Sequence, residues 1–220
     1  MFRTMKFPAV AMLIAAPFCL QAQTAPTPAT AATVAAATTP ATAATPATAA
    51  TAATNATAAT PAPAAAPEVG QTAPDFTAKG ANASGPKSVA LKSLRGQVVV
   101  LAFYPLDRSS GCTHEMEKFR DEFSTIFGSG VTLLPISEDS VGSHAGWARD
   151  AHFPFTLVSD NGGAIARDYG SMMPGRPYAS RTVFVIGKDG KVAYRNMKFG
   201  ALDQHAYDDL AAAVAKAKAE

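Results

Sequence analysis

An uncharged segment of low complexity divides this chain and limits where a folded domain can lie. Residues 24–67 consist almost entirely of alanine, threonine and proline. Repeated threonine and proline oppose helix formation, and a segment with so few large apolar side chains cannot build a core. We therefore predict a disordered linker over residues 23–67 and one folded domain over residues 68–220, which is long enough to enclose a hydrophobic core.

The charge balance of that domain argues against polyanionic partners. The whole chain has 19 Lys and Arg residues against 17 Asp and Glu residues. Arg3 and Lys6 are the only charged residues before Glu68, so removing them leaves 17 basic against 17 acidic side chains in the domain. A neutral domain has no long-range attraction for polyanions. We therefore predict no nucleic-acid partner.

The first 22 residues have the features of a secretory signal peptide. Arg3 and Lys6 precede a short apolar segment over residues 9–20, and Ala22 offers a cleavage site. The apolar segment is short for a membrane span, and a retained anchor is the alternative. Cleavage after Ala22 removes Cys19. We expect a periplasmic or secreted protein of a bacterial envelope, in contact with a membrane only if the signal is retained.

Cys112 is then the only thiol of the mature chain. It follows an apolar, strand-like run that ends at Phe103, and it enters a helix-like segment that begins near Thr113. The unpaired N–H groups at the start of a helix favour negative charge, and a thiolate is the reactive form of cysteine. A buried, inert cysteine is the alternative. Because the neighbours of Cys112 are serine, glycine and threonine, we predict a reactive thiol.

Segments typical of strands alternate with segments typical of helices. Met116, Phe119 and Phe123 recur at helical spacing, and Asp189-Gly190 is a strong hairpin signal. This alternation predicts a three-layer α/β domain with a central mixed sheet, and the order resembles a thioredoxin-like fold. The predicted strands are residues 98–104, 131–136, 155–158, 182–186 and 191–195, and the predicted helices are residues 113–127, 141–151, 164–169 and 204–218.

Several motifs resemble those of one enzyme family. Val69–Phe76 is similar to the Val-Gly-x-x-Ala-Pro-Asp-Phe opening of peroxiredoxins of the alkyl hydroperoxide reductase and thiol-specific antioxidant family, and Val89–Gly96 resembles the segment before their central strand. Pro105, Ser109 and Cys112 match the Pro-x-x-x-Thr/Ser-x-x-Cys motif of that family.

Two further segments carry the resemblance, and one of them points to a particular branch of the family. The run from Cys112 to Glu115 is similar to the Cys-Thr-x-Glu of the bacterioferritin comigratory, or PrxQ-type, branch, in which Thr113 is a supporting residue. The segment Arg181–Ile186 matches the strand that carries the family's arginine.

The resemblance implies a peroxidase whose cysteine attacks a peroxide. It implies that Cys112 is oxidised to sulfenic acid, that Ser109 and Arg181 donate to the peroxide oxygens, and that Pro105 shapes the pocket. Glu115 would hold an arginine in place. The alternatives are a capping hydroxyl for Ser109, a surface charge for Arg181 and an exposed acid for Glu115. The histidines show no ligand spacing, and we predict no metal and no cofactor.

The sequence departs from the branch at the position of its resolving cysteine, which is Glu117 here. A one-cysteine mechanism follows, in which an external thiol or a thioredoxin-like protein reduces the sulfenic acid. An oligomer is possible.

Two other functions fit the same fold. One is an envelope thioredoxin-like protein for thiol-disulfide exchange, although Ser109 occupies the first position of the required Cys-x-x-Cys pair. The other is a non-catalytic redox-sensing or binding domain, since a fold does not dictate function.

Overall fold

The computed structural model describes residues 65–220, in which strands and helices alternate. The predicted signal peptide, Cys19 and the predicted linker up to residue 64 lie outside the described residues. The strands are β1 (Thr77–Asn82), β2 (Gly85–Ala90), β3 (Val98–Phe103), β4 (Val131–Ser137), β5 (Leu157–Ser159), β6 (Thr182–Ile186) and β7 (Val192–Asn196). The helices are α1 (Ser110–Asp121), α2 (Phe123–Ile126), α3 (Val141–Asp150), α4 (Ala164–Asp168) and α5 (Gln204–Ala219), and a 3₁₀ turn spans Leu91–Leu94.

All seven strands form one mixed sheet in the order β2-β1-β5-β4-β3-β6-β7. The central strand β3 runs parallel to β4 and antiparallel to β6. Strand β5 extends the parallel part beyond β4, and the β1–β2 hairpin continues the sheet in antiparallel fashion. The mixed sheet confirms the predicted fold class.

Side chains of β3 point alternately into two separate cores. Val100 packs in the core that includes Phe119 of α1 and Leu210 of α5. Leu101 packs on the opposite face, in the core that includes Tyr169. A strand covered on both faces reads as a continuous apolar run, because neither set of alternating side chains meets water. This explains why residues 98–103 contain no polar side chain.

The sequence missed the β1–β2 hairpin. Both strands are short of large apolar residues, and β2 is mostly exposed or half-buried. Strand β2 lies at the sheet edge and needs no hydrophobic run, because part of its surface faces water. Strand β1, beside it, is exposed at Thr77 and Lys79. The hairpin therefore left no apolar periodicity to detect.

The predicted helix over residues 113–127 is in fact two helices. Helix α1 ends at Asp121, and Glu122 leaves the helical conformation with φ −105° and ψ 20° before α2 begins. The shared apolar face survives the break, since the Phe119 and Phe127 rings are 5.4 Å apart and the Phe123 and Phe127 rings 5.1 Å apart.

The sheet register brings together two distant parts of the chain. Phe103, the last residue of β3, pairs with Thr182, the first residue of β6. The loop that leaves β3 toward α1 therefore begins beside the residue that precedes β6, which is Arg181. In the described part of the chain, no helix combines the length and the apolar character needed to cross a membrane.

Candidate active site

Cys112 lies in the first turn of α1, as its third residue. Ser109 caps the helix with an extended backbone, φ −67° and ψ 149°, and its carbonyl accepts the N–H of Thr113 at 2.8 Å. The amide groups of the residues before Thr113 have no partner within the helix. They place the positive end of the helix dipole at the sulfur, where it stabilises a thiolate.

Arg181 supplies a second positive charge at the sulfur. Its Nη2 donates to Cys112 Sγ at 3.5 Å, and its Nη1 donates to Glu115 Oε2. Partial burial lowers the pKa of Arg181, but the negative charges of Glu115 and Cys112 more than offset this and raise it. The guanidinium is therefore a permanent cation held between a thiol and a carboxyl group, and it is not the surface charge of the alternative interpretation.

Glu115 is fully buried, at 0% exposure, one helical turn after Cys112. Burial raises its pKa to about 7, although Arg181 opposes the shift. Its second oxygen, Oε1, has no hydrogen-bond partner among the described residues. Glu115 is thus not an exposed acid, and its ionisation depends on the arginine that it contacts.

Cys112 itself is only 1% exposed and belongs to the core on the α1 and α5 face of the sheet. It is the one free cysteine of the described residues. Burial alone is compatible with an inert cysteine. An inert core cysteine, however, has no need of a guanidinium in contact with its sulfur. The combination of a buried thiol and a contacting cation suits a nucleophile that is protected from water.

Pro105 and Ser109 lie in the loop that joins β3 to α1, and both are half-buried. The Ser109 side chain makes no capping hydrogen bond, which excludes the capping alternative. Within residues 65–220 its hydroxyl makes no hydrogen bond, so it can donate to another molecule. Thr113 closes the first turn through its backbone, and Glu117, at the family's resolving position, is half-buried in the middle of α1.

The sequence missed a buried polar cluster under this loop. The carboxylate of Asp107 accepts from the hydroxyls of Tyr104 and Ser143, and it faces the ring of His144. The sequence does not single out His144, because the histidines show no metal-ligand spacing. Asp107 and His144 are 37 residues apart, so no local pattern connects them. The position of Asp107 inside the Pro-x-x-x-Ser motif was the one available signal.

The fold and this site define a class of protein: a thioredoxin-like domain that holds a single cysteine at a helix amino end against an arginine. The model of the AhpC/TSA family matches residues 69–195. The chain therefore belongs to the AhpC/TSA family, the peroxiredoxins, which confirms the resemblance seen in its motifs.

Individual relatives agree with this. The putative peroxiredoxin bcp of Coxiella burnetii is 38% identical over 132 residues, which are 57% of this chain and 85% of that protein. Chloroplastic peroxiredoxin Q of Arabidopsis thaliana is 36% identical over 126 residues, and the match covers 56% of each chain. The chain thus spans just over half the length of this plant relative. The crystal structure of peroxidoxin BcpB from Mycobacterium tuberculosis superposes with a TM-score of 0.58 at 30% identity, covering 70% of this chain and 97% of that one.

Proposed function

We propose that this peroxiredoxin reduces hydrogen peroxide or organic hydroperoxides through Cys112 in a one-cysteine cycle. The observation that carries the proposal is the 3.5 Å contact from Arg181 Nη2 to Cys112 Sγ at the amino end of α1. Two positive electrostatic sources converge on one sulfur there, and both favour the thiolate over the thiol.

The first step transfers an OH group from the peroxide to the sulfur. A lone pair of the Cys112 thiolate attacks the terminal peroxide oxygen, the S–O bond forms and the O–O bond breaks. The bonding pair leaves on the other oxygen as alkoxide or hydroxide, which takes a proton from water. Sulfur is oxidised to sulfenic acid, and the peroxide is reduced to an alcohol or water.

Negative charge moves onto the leaving oxygen during this step, so donors along the line of attack lower the barrier. Arg181 is fixed beside the sulfur by its second hydrogen bond, to Glu115. The Ser109 hydroxyl, which makes no capping bond, lies in the loop before the cysteine. Pro105, in the same loop, has no N–H that could compete for the thiolate.

An external thiol completes the cycle. It attacks the sulfenic sulfur, which releases water and leaves a mixed disulfide, and a second thiol then releases Cys112 and departs as a disulfide. Since residues 65–220 hold no second cysteine, no disulfide can form within this part of the chain. The same fact disfavours a dithiol exchange protein.

The test is peroxide consumption by the purified protein with dithiothreitol as reductant. Wild type should consume hydrogen peroxide or cumene hydroperoxide catalytically, and Cys112→Ser should not. Ser110→Ala is the matched control, because Ser110 is an exposed residue of the same helical turn, and it should retain activity. Equal consumption by wild type and Cys112→Ser would overturn the proposal.

We also propose that the protein acts in the bacterial envelope. The support is the signal-like composition of the first 22 residues. After expression in a bacterial host, osmotic shock should release the protein in the periplasmic fraction. Its measured mass should be that of the chain that starts at residue 23, directly after Ala22. Uncleaved protein confined to the cytoplasm would contradict export.

A further inference from the structure

The loop between β3 and α1 rests on a buried cluster with no role in the steps above. Tyr104 donates its hydroxyl to Asp107 Oδ1 at 2.6 Å, and Ser143 donates to Oδ2 at 2.6 Å. His144 Nδ1 lies 3.0 Å from the same Oδ2. Asp107 thus ties the loop to α3, the helix that carries both Ser143 and His144.

His144 contacts a neighbour through each of its two ring nitrogens. Nδ1 faces the Asp107 carboxylate, and Nε2 faces the carbonyl oxygen of Val158 at 3.2 Å. The Tyr104 hydroxyl, 3.5 Å from Nδ1, gives its own hydrogen to Asp107. The imidazole therefore bridges the Asp107 carboxyl group and the backbone of β5.

The cluster is almost completely buried. The side chain of His144 is 0% exposed and that of Asp107 is 3% exposed. Burial raises the pKa of Asp107, but the hydrogen bond and the charge of His144, with the two hydroxyls, lower it overall. Because a buried polar group without its hydrogen-bond partner is costly at such a site, each group fixes the position of the other.

Asp107 is also held through its backbone. Its N–H donates to Asp139 Oδ2 at 2.8 Å, just beyond the end of β4. Arg108 follows with a left-handed φ of 61°, a conformation that non-glycine residues adopt only where the surroundings enforce it. Pro105 and Ser109 stand two residues before and two residues after Asp107 in this same loop. A shift of Asp107 therefore displaces both.

We propose that Asp107 and His144 are positioning residues, which hold Pro105 and Ser109 in the geometry that a peroxide needs beside Cys112. This inference rests on the proposed peroxidase function. Neither residue makes a hydrogen bond to the sulfur among the described residues, whereas Arg181 does, so we expect their effect to fall on the orientation of the bound peroxide. The charge on the thiolate depends instead on α1 and Arg181.

Two rate constants separate these effects. Oxidation of Cys112 by hydrogen peroxide, followed by stopped flow, depends on the loop donors. Alkylation of Cys112 by iodoacetamide depends on the thiolate but not on donors to a peroxide. Asp107→Asn keeps the shape of the side chain and removes its charge. Its oxidation rate constant should fall on the order of 100-fold, the effect of a misplacement of about 1 Å, while its alkylation rate stays within a few-fold of wild type.

His144 allows a matched pair of variants. In His144→Asn the amide nitrogen replaces Nδ1 and can still donate to Asp107, whereas in His144→Gln the amide reaches Val158 but not Asp107. The asparagine variant should therefore keep much more of the oxidation rate than the glutamine variant. A purely structural role predicts equal rates for the two in the folded protein, as verified by urea unfolding.

Asp150→Asn is the control for contact between the same loop and the same helix. Asp150 binds Arg108 at 2.6 Å on the surface, with both side chains about half exposed, and such pairs contribute little. Its oxidation rate should match that of wild type.

The inference fails if folded Asp107→Asn and His144→Gln are oxidised as fast as wild type, or if their alkylation slows as much as their oxidation. Slow oxidation of wild type itself would instead contradict the proposed peroxidase.

Discussion

Arg181 is shared between two acidic groups that compete for one cation. Its two terminal nitrogens contact Cys112 Sγ and Glu115 Oε2. When Glu115 is neutral, the full charge of the guanidinium acts on the thiolate. When Glu115 ionises, part of that attraction goes to the carboxylate. The protonation of one buried side chain therefore adjusts the field at the sulfur.

The pKa of about 7 for Glu115 predicts a stability effect with a definite sign. The unfolded chain releases this proton near pH 4.5, and the folded protein holds it until about pH 7. The stabilisation is full below pH 4.5 and is lost as the pH rises to 7, by an amount of about 3 kcal/mol. The free energy of unfolding of wild type minus that of Glu115→Gln should fall by this amount over the interval, as measured by urea unfolding.

Glu117→Gln is the matched control, because it removes a carboxylate from the same helix without touching a hydrogen bond to Arg181. If the difference in free energy of unfolding between wild type and Glu115→Gln does not vary between pH 4.5 and 7, Glu115 is ionised throughout that range.

The sequence predicted part of this site at the level of single residues. Cys112 and its helix-end position follow from local pattern, and Arg181 follows from a motif. The burial of Glu115 could not be predicted, because it depends on the α5 side of the core closing over α1. Asp107 and His144 are 37 residues apart in the chain, so no local spacing predicts their contact.

At the level of the element, the amino end of α1 contains a glycine that lies close to Arg181. Gly111 lies beside the arginine, and a Cβ at this position would be 3.3 Å from Arg181 Nη2. Such a contact is tight enough to push the guanidinium away from the sulfur. The glycine at the second position of this helix therefore leaves room for the guanidinium. Alanine would stabilise the helix itself better.

Gly111→Ala should raise stability and lower activity together. The helix gains up to about 1 kcal/mol from alanine, whereas a weakened charge-assisted hydrogen bond costs roughly 1 kcal/mol in the transition state, or about five- to tenfold in rate. The oxidation rate constant of Cys112 and the urea midpoint measure the two effects on the same sample.

Gly142→Ala is the control in an equivalent place. Gly142 is the second residue of α3, after the capping Ser140, and its Cβ would have an ordinary 3.8 Å contact with Ser140 Oγ. It should stabilise without slowing oxidation. A Gly111→Ala variant as active as Gly142→Ala would show that Arg181 need not be so close.

Most elements with strong apolar patterns were predicted to within one or two residues, but α1 begins at Ser110, three residues before its predicted start. Strand β6 has its predicted bounds, Thr182–Ile186, and α5 extends one residue past its predicted end. Strand β5, expected over residues 155–158, is Leu157–Ser159 instead. The polar hairpin and the break at Glu122 were missed, since a backbone turn inside one continuous apolar face leaves the periodicity unchanged.

At the level of the whole molecule, the β1–β2 hairpin joins the rest of the sheet through a crowded contact. Gly80 of β1 pairs with Val158 of β5, and a Cβ at Gly80 would overlap the backbone oxygen of Leu157. The close approach of two backbones requires the absence of a side chain here.

Gly80→Ala should therefore destabilise the protein by about 1–3 kcal/mol, the usual cost of forcing extra atoms into a packed site. Urea unfolding measures the loss. Lys79→Ala places the same residue at the adjacent exposed position of β1 and should change stability by less than about 0.5 kcal/mol. Equal midpoints for the two variants would mean that the hairpin moves aside at little cost.

The 1% exposure of Cys112 has a different meaning for its two reaction partners. A peroxide is small enough to pass a slight parting of the loop, but the thiol of another protein must align behind the sulfur with a whole chain attached. We expect that approach to require the first turn of α1 to unwind, with loss of the bond from Thr113 N–H to the Ser109 carbonyl. If a protein is the reductant, we therefore predict that the turnover rate stops rising with reductant concentration once this unwinding limits the cycle.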